Sequence, residues 1–381
     1  MIYYGKQSIS EEDIQAVAEV LRSPLITQGP AVERFERRVA EYCGAKYAVA
    51  VTSATAALHI ACRAAGLGES DELWTSPITF VASANCGRYC GANVDFVDID
   101  GATYNMSVNE LEKKLESGGR PKVVVPVHLC GQSCDMERIH SLSVKYGFTV
   151  IEDASHALGA TYKDTRVGSC AFSDMTVFSF HPVKIITAGE GGMVLTNRKD
   201  LYDKLSILRT HAIVRDPSQM THEPDGEWYY QQIDLGYNYR MTDFQAALGY
   251  SQMDRLEAFV ARRRQLAQRY DELLADLPLC TPKQDPNTNS SWHIYVVRMD
   301  KGRVKKSKQD IFEEMRERGV QLNLHYIPVH LQPYYQVLGF KQGDFPASER
   351  YYEETFTLPI YYELTDEQQD QVVKALKEVL S

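Results

Sequence analysis

The sequence predicts an α/β protein built around a mostly parallel sheet that helices cover on both faces. Short, wholly apolar runs rich in β-branched residues recur along the first half of the chain, and helix-like patterns separate several of them. Strands that are apolar on both faces are typical of parallel sheets buried between helical layers. The length of 381 residues allows about two domains, at roughly 150 residues for each.

Six predicted strands and five predicted helices make up this α/β part. The strands are expected at 47–52, 94–100, 122–129, 149–155, 175–180 and 193–197. The helices are expected at 54–66, 79–91, 108–117, 135–147 and 199–210. The pairs Ser10 with Asp13 and Ser107 with Glu110 match capping boxes, and the first of them predicts a further helix that ends near Arg22.

The pattern changes after residue 197. A long loop rich in polar and aromatic residues spans 211–240, and such loops are usually functional or disordered. A single long helix is expected from Thr242 to about residue 277, followed by a strand at 293–299, a helix at 307–318 and an extended segment at 324–330. A final helix follows the capping box of Thr365 and Gln368. We therefore predict a large domain at 1–248 with an N-terminal arm, and a smaller α+β domain at 249–381.

Composition argues against several classes of partner. The formal net charge of -10 disfavours a protein that binds nucleic acid or an anionic membrane. No apolar stretch approaches the roughly 20 residues of a membrane helix. The N-terminal residues lack the basic and apolar regions of a signal peptide, so a cytoplasmic location is expected.

The eight cysteines do not predict a metal site. Two pairs have C-x-x-x-C spacing, and neither has histidines at zinc-finger spacing. Reduced structural thiols are the favoured interpretation.

Small polar residues follow the first predicted strand. Ser53, Ala54 and Thr55 stand where a helix begins, and free N–H groups at a helix N-terminus suit a phosphate. Taken alone, a plain N-cap is the favoured explanation. No G-x-G-x-x-G follows this strand and no G-x-x-x-x-G-K-[ST] occurs, which disfavours a Rossmann dinucleotide site and a P-loop.

Other chemically capable residues follow later strands. Phe80 stands near a helix start, where it could stack on a flat ring or simply pack in the core. Asp153 ends an apolar strand, with His156 three residues later. A buried carboxylate needs a cation or hydrogen-bond donors, and a protonated heterocyclic nitrogen would serve, although an N-cap is about as good an explanation.

Ser179 and Lys184 follow another apolar strand, in the stretch FSFHPVKIITAGEGGM. Lys184 either extends its amine to water or keeps it for chemistry, because a desolvated amine has a lowered pKa and forms Schiff bases readily. A lysine, an acid, phosphate donors and an aromatic face at the ends of one sheet's strands are together what pyridoxal 5'-phosphate (PLP) requires. The sequence therefore predicts a PLP enzyme.

An ordered set of motifs then resembles a known family. ITQGPAVERFE, TSATAALHIA, ITFVASAN, IEDASHALGA, FSFHPVK, GEGGMV, GYNYRMTDFQAALG and HYIPVH occur in the order found in the sugar aminotransferases of the DegT/DnrJ/EryC1/StrS type. The resemblance covers nearly the whole chain. It implies the fold type I architecture of aspartate aminotransferase, with a mostly parallel seven-stranded sheet and a smaller C-terminal α+β domain. It also implies PLP as cofactor, with pyridoxamine phosphate as its amino-carrying form.

The resemblance assigns roles to matching positions. Lys184 would form the Schiff base, Asp153 would keep the pyridine nitrogen protonated, and Phe80 would stack on the ring. His156 stands where many members have glutamine, near the cofactor's 3-hydroxyl. The phosphate would be held by Ser53, Ala54, Thr55 and Ser179, and by Asn238 from the neighbouring subunit of a homodimer.

Within the family, the motifs favour the branch that aminates UDP-2-acetamido-2,6-dideoxy-β-L-arabino-hex-4-ulose with L-glutamate, in pseudaminic acid synthesis. By similarity the sugar nucleotide would contact Tyr4, Leu25, Ile26, Thr27, Asn323, His325 and Tyr326, with Arg240 a candidate for its diphosphate. The alternatives are an aminotransferase for another UDP- or dTDP-linked keto sugar, and a binding protein that kept the fold without catalysis. Some relatives replace the lysine by histidine and act as dehydratases, so the presence of Lys184 favours transamination.

Overall fold

The computed structural model describes residues 1–380. Its α-helices are α1 (Glu11–Arg22), α2 (Pro30–Cys43), α3 (Ala54–Ala64), α4 (Ala82–Tyr89), α5 (Val108–Glu116), α6 (Met136–Tyr146), α7 (Lys199–Leu208), α8 (Asp243–Gln252), α9 (Leu256–Leu273), α10 (Lys308–Glu317), α11 (Pro333–Val337), α12 (Pro346–Glu354) and α13 (Asp366–Leu380). Its strands are β1 (Tyr47–Val51), β2 (Glu72–Thr75), β3 (Asn93–Phe96), β4 (Val123–Val125), β5 (Thr149–Asp153), β6 (Thr161–Tyr162), β7 (Thr165–Arg166), β8 (Met175–Ser179), β9 (Gly192–Thr196), β10 (Ile213–Val214), β11 (Gln231–Gln232), β12 (Leu279–Cys280), β13 (Thr288–Asn289), β14 (Tyr295–Met299) and β15 (Thr355–Leu358).

A seven-stranded sheet forms the centre of the molecule, in the order β1-β9-β8-β5-β4-β2-β3. Strand β9 runs antiparallel to both of its neighbours, and the other adjacent strands are parallel. This confirms the predicted mostly parallel sheet. The strand Glu72–Thr75 was absent from the predicted set because a run of four residues with a charged first member has too little pattern to stand out.

Helices cover both faces of this sheet, as its apolar strands require. One buried cluster joins the strands to α3, α4 and α7, and a second joins them to α5 and α6. A third cluster packs α2 and α8 against the sheet, and α2 was not among the predicted helices. The layered α/β architecture is therefore as the strand and helix alternation predicts.

Local capping signals agree with the observed helix starts. Ser10 and Asp13 form both hydrogen bonds of a capping box at α1, and Thr365 and Gln368 do the same at α13. At α5 the Ser107 hydroxyl accepts from the Glu110 N–H, which is one half of the predicted box. These bonds satisfy N–H groups that the first helical turn leaves without partners.

The single long helix predicted from Thr242 is wrong. Helix α8 ends at Gln252, a 3₁₀ turn spans Met253–Arg255, and α9 begins at Leu256. At this interruption the Gln252 amide and the Arg255 guanidinium both donate to the fully buried carboxylate of Asp13. These tertiary contacts favour the break, and they were not evident in the local helical pattern.

The C-terminal part has a separate core. Strands β12, β14 and β15 form an antiparallel sheet against which α10 and α13 pack. The N-terminal arm joins this part, because the Ile2 N–H donates to the Gly319 carbonyl and the Ile2 carbonyl accepts from the Gln321 N–H. Along α9 the buried residues pass from one cluster to the other between Val260 and Leu266. The boundary at 248/249 stays a prediction.

The long loop at 211–240 contains a two-stranded ladder, in which β10 pairs with β11. Several of its apolar side chains face solvent, and Trp228 is 75% exposed.

Within residues 1–380, no helix is both long and apolar enough to cross a membrane. All eight cysteines have free thiols.

Candidate active site

A cavity of about 680 Å³ lies beyond the carboxyl ends of the central strands. Its floor comes from residues that follow β1, β2, β5 and β8, as the rule for ligand sites in open parallel sheets predicts. Its opposite wall comes from the C-terminal part, through His293 and the segment 323–326. The cavity is therefore shared by the two parts of the chain.

One end of the cavity is the N-terminus of α3. The Ser53 hydroxyl caps this helix by accepting from the Ala56 N–H, at 3.1 Å. The first-turn N–H groups of Ala54 and Thr55 precede the helical bonding pattern and are available to an anion. Gly192 allows β9 to pass here, because a Cβ atom at that position would lie 2.4 Å from the Ser53 carbonyl.

Asp153 is the last residue of β5, and its side chain is almost fully buried in the cavity floor. The Ser83 hydroxyl donates to Asp153 Oδ2 at 2.6 Å, and the Ser155 N–H donates to Oδ1 at 3.1 Å. Two donors fix the orientation of this carboxylate, as a group that must hold one position on a ligand requires.

Lys184 lies in the turn that follows β8, with its backbone N–H bonded to the His181 carbonyl at 2.9 Å. Its amine lines the same cavity as Asp153, and Nζ lies 3.5 Å from His293 Nε2. Burial lowers the pKa of the Lys184 amine to about 8, although the charge of Asp153 opposes the shift. A neutral amine is therefore accessible near physiological pH, which suits nucleophilic and proton-transfer chemistry.

Three buried histidines surround this amine. Burial, and then the charge of Lys184, lower the pKa of His156 and His293 well below the ordinary histidine value. The same causes lower the pKa of His325 to about 3. All three rings are therefore neutral at physiological pH. Within residues 1–380, Nδ1 of His156 and Nδ1 of His293 have no hydrogen-bond partner.

The cavity brings together most of the residues that the sequence singled out. Its lining includes Tyr4, Ser53, Ala54, Thr55, Phe80, Asp153, His156, Ser179, Lys184, Asn323, His325 and Tyr326. Phe80 is 57% exposed, which is unusual for a phenylalanine that only packs in a core.

Five of the singled-out residues do not line the cavity of this chain: Leu25, Ile26, Thr27, Asn238 and Arg240. Leu25 and Ile26 are about half exposed, and the Thr27 backbone pairs with Thr242. The backbones of Asn238 and Arg240 pair with Thr210 and Val51.

Sequence reasoning missed two residues that belong to this site. Ser83 bonds to Asp153, and His293 lies against Lys184. Ser83 stands within the motif ITFVASAN, one turn after Phe80, so its position on α4 was the available signal. His293 precedes a strand of the C-terminal part, and no local pattern connects it to a lysine 109 positions earlier.

The donor set of the cavity fits PLP. Lys184 offers an amine to the aldehyde, Asp153 a fixed carboxylate to the ring nitrogen, and the α3 turn N–H groups to the phosphate. The exposed face of Phe80 offers a surface for the ring, and the unpartnered His156 Nδ1 is a buried polar atom that a ligand oxygen would satisfy. These residues would hold the cofactor, which itself supplies the electron sink.

Comparison with known proteins identifies the family. Residues 7–377 match the DegT/DnrJ/EryC1/StrS aminotransferase family. The spore coat polysaccharide biosynthesis protein SpsC of Bacillus subtilis is 39% identical over 380 residues, which are 99% of this chain and 96% of that protein.

Two solved structures share the whole architecture. PseC of Helicobacter pylori, described as an aminotransferase involved in the biosynthesis of pseudoaminic acid, has a TM-score of 0.91 and 30% identity over 100% of this chain and 99% of that one. The putative sugar aminotransferase Spr1654 of Streptococcus pneumoniae, in its PMP-form, has a TM-score of 0.89 and 30% identity over 99% and 98% of the two chains. Together with the cavity, these matches establish that the chain belongs to the DegT/DnrJ/EryC1/StrS aminotransferase family and is a PLP-dependent sugar aminotransferase.

Proposed function

We propose that the enzyme transfers the amino group of L-glutamate to C4 of UDP-2-acetamido-2,6-dideoxy-β-L-arabino-hex-4-ulose. The product would be UDP-4-amino-4,6-dideoxy-N-acetyl-β-L-altrosamine, a precursor for pseudaminic acid. The observation that carries transamination is the meeting of the Lys184 amine, the Asp153 carboxylate and the α3 N-terminus in one cavity. The likeness to PseC supports the choice of sugar.

Lys184 is the proposed proton carrier. In the first half of the transfer its free amine would take a proton from the α-carbon of glutamate as a general base and give it to the cofactor carbon that carries the nitrogen, as 2-oxoglutarate is released. In the second half it would carry a proton from that cofactor carbon to C4 of the sugar as a general acid. Because the pKa of this amine is lowered to about 8, both its neutral and its protonated forms are populated near neutral pH. A group that must act as base and then as acid works best when its pKa is near the operating pH.

Asp153 is the proposed partner of the cofactor's ring nitrogen. Its carboxylate is held by Ser83 and the Ser155 N–H, so it presents a fixed negative charge to a protonated nitrogen. The exposed ring of Phe80 would stack on the cofactor, and His156 would contact its 3-hydroxyl. Ser53, Ala54, Thr55 and Ser179 would receive its phosphate at the positive end of α3.

The sugar nucleotide would contact the C-terminal wall of the cavity. Tyr4, Asn323, His325 and Tyr326 provide hydroxyl, amide and neutral imidazole groups there. Such neutral partners suit the hydroxyl, keto and acetamido groups of a sugar, which carry no charge.

A homodimer would complete each site. Asn238, Arg240 and the segment 25–27 lie outside the cavity of their own chain, which supports a role in the cavity of a neighbouring copy. Mixing Lys184→Ala subunits with Asn238→Ala subunits tests this idea, because one site of the hybrid would then be intact. Recovered activity is the expected result, and its absence would contradict a shared site.

The cytoplasmic location also stays a prediction.

A second candidate substrate is another nucleotide-linked keto sugar, carried by UDP or dTDP. The 39% identity to SpsC, a protein of spore coat polysaccharide biosynthesis, favours keeping this possibility. A non-catalytic role is disfavoured because Lys184 and Asp153 are both present and lie in one cavity.

The decisive experiment incubates the PLP-loaded enzyme with L-glutamate and a panel of UDP- and dTDP-linked 4-keto and 3-keto sugars. Mass spectrometry would detect the amino sugar, and NMR would define the new stereocentre at C4. We expect the highest kcat/KM with the UDP-linked L-arabino 4-keto sugar, and no product from Lys184→Ala. A clearly higher kcat/KM for another sugar would replace the proposed substrate while leaving the aminotransferase assignment in place.

A further inference from the structure

Arg263 is a buried cation for which the activity gives no direct use. It lies on α9 and is 2% exposed, and within residues 1–380 no carboxylate lies within ion-pair distance of it. Burial lowers the pKa of its guanidinium to about 10, so the group is still charged at neutral pH. A buried charge without a counter-ion is costly, so its position needs a reason.

The guanidinium is held by backbone carbonyls. Arg263 Nη1 donates toward the carbonyls of Trp292, His293 and Ile360, at 3.2, 3.0 and 3.0 Å. Two of these carbonyls belong to the turn that leads into β14. Charge-assisted hydrogen bonds are stronger than neutral ones, so Arg263 holds this turn firmly.

The turn itself is in a strained conformation. Trp292 has a φ of 51°, in the left-handed region that bulky side chains rarely adopt. Neighbouring contacts hold it there, since the Trp292 N–H donates to the Ser290 hydroxyl at 3.0 Å and the His293 N–H donates to the Cys130 carbonyl at 3.1 Å. Strain of this kind persists only where the surrounding contacts over-determine the conformation, and it is concentrated at functional sites.

The side chain that the turn aims is His293. Its Nε2 lies 3.5 Å from Lys184 Nζ, and its ring packs 4.4 Å from that of His156 between centroids. Burial keeps the ring neutral, so Nε2 can accept a hydrogen bond from the amine when Nδ1 carries the proton. The lysine and the histidine come from the two different parts of the chain, and Arg263 stands behind the histidine.

We propose that His293 is a positioning residue for the Lys184 amine, and that Arg263 acts through it by holding the Trp292–His293 turn. Accepting one N–H from the amine fixes rotation about its last bond, so that the lone pair points into the cavity where the proton must be taken. No proton leaves the lysine in this contact. The inference rests on the proposed role of Lys184 as proton carrier, and it concerns orientation, to which rates are sensitive.

The test compares His293→Leu with His293→Gln. Leucine removes the acceptor while filling similar space, and glutamine restores an oxygen acceptor. We expect kcat of His293→Leu to fall about 10–10²-fold with KM for the keto sugar within about two-fold, and the near-ultraviolet circular dichroism of the pyridoxamine phosphate form, in which the Lys184 amine is free, to change. Glutamine should recover most of both signals, which a purely structural role for the ring would not require.

Arg263→Met and Arg264→Met form a matched pair for the second half of the proposal. Arg264 is the next residue on α9 and also donates to backbone carbonyls, those of Ser290, Gly159 and Asn289, but to neither the Trp292 nor the His293 carbonyl. Arg263→Met should reproduce the kcat loss and the dichroism change of His293→Leu, and the double variant should lose little more. Arg264→Met should keep kcat close to that of the unsubstituted enzyme. If Arg263→Met does not fold, the His293 pair still decides the positioning role.

Lys184→Ala in the same assays separates the two proposals. Sustained turnover by Lys184→Ala would overturn the lysine's role and the inference with it. Loss of turnover in Lys184→Ala together with unchanged kcat and dichroism in His293→Leu would overturn only the positioning role. Equal losses in Arg263→Met and Arg264→Met would overturn the part assigned to Arg263.

Discussion

Two adjacent carboxylates on β5 face opposite sides of the sheet and have different surroundings. Glu152 lies on the side of the sheet away from the cavity. Its carboxylate accepts hydrogen bonds from His128 Nε2 at 2.6 Å and from the hydroxyls of Ser173 and Thr176. His128 is satisfied as well, because its Nδ1 accepts from the Cys134 N–H at 3.1 Å. Despite burial, these donors hold the pKa of Glu152 below its usual value.

Asp153 lies on the cavity side, where the groups are only partly satisfied. Its own carboxylate has two donors, but the nearby rings of His156 and His293 each keep a nitrogen without a partner within residues 1–380. The polar groups around Glu152 are thus hydrogen-bonded to one another, whereas those around Asp153 include ring nitrogens that lack partners. Burial alone therefore does not distinguish a structural carboxylate from a functional one, whereas unsatisfied polar neighbours do.

Replacing each carboxylate by its amide should separate the two roles, with the largest effect at Asp153. Asp153→Asn removes the charge that would keep the cofactor's ring nitrogen protonated, so we expect kcat to fall about 10²–10³-fold. Thermal or urea unfolding of the protein should change little. The measurement is steady-state kinetics with the PLP-saturated variant, and a kcat within about three-fold of the original would remove Asp153 from the mechanism.

Glu152→Gln should show the reverse pattern. Replacing the anion puts an amide N–H₂ among donors, so the free energy of unfolding should decrease by about 3 kcal/mol. The folded fraction should retain kcat within about two-fold, because the side chain points away from the cavity. Urea denaturation followed by circular dichroism measures the first quantity. A large loss of kcat at unchanged stability would mean that the two faces are not independent.

Replacing the serines that donate hydrogen bonds to these carboxylates should give smaller effects in the same two directions. Ser83→Ala removes a donor from Asp153, and Ser173→Ala removes one from Glu152. A hydrogen bond to a charged group contributes about 2 kcal/mol, so Ser83→Ala should lower kcat roughly ten-fold or more, and Ser173→Ala should mainly lower stability. The measurements are kcat and the urea midpoint for both variants. A loss of stability alone in Ser83→Ala, or a loss of kcat alone in Ser173→Ala, would contradict the different roles of the two carboxylates.

As the pH falls from neutral, we expect the free energy of unfolding to decrease first through His325, which lines the cavity. The folded pKa of His325, about 3, lies below its ordinary value of 6.5, so the unfolded chain takes up its proton first as the pH falls. Stability linked to this group is therefore present above pH 6.5 and decreases below it, by up to about 1.4 kcal/mol per pH unit.

The Glu152 carboxyl behaves differently, because its folded pKa is lowered from 4.5. Its contribution is present above pH 4.5, decreases below that pH and is lost as the pH falls through the folded value. Urea titrations between pH 7.5 and 5 should thus show a decrease in stability that His325→Gln reduces. An identical slope in this variant would exclude His325 as the source.

Much of the fold was readable from the sequence because it depends on local pattern. Apolar runs and amphipathic periods identified most strands and helices of the large sheet, and the capping pairs at Ser10 and Thr365 are formed as predicted. The residues at strand ends, including Asp153 and Lys184, were identified for the same reason, since topology brings the carboxyl ends of parallel strands to one edge.

The contacts between segments that are distant in the sequence could not be predicted, because they depend on tertiary packing. Asp13 accepts from Gln252 at the break between α8 and α9, Asp153 accepts from Ser83 of α4, and His293 reaches Lys184 from the C-terminal part. Local sequence pattern thus predicts most of the central sheet, most of its helices and the chemistry at the strand ends. The wall that the C-terminal part contributes to the cavity, and the contact of Arg263 with it, depend on packing. A hydrophobic period indicates which face of an element is buried, but it does not indicate which partner that face contacts.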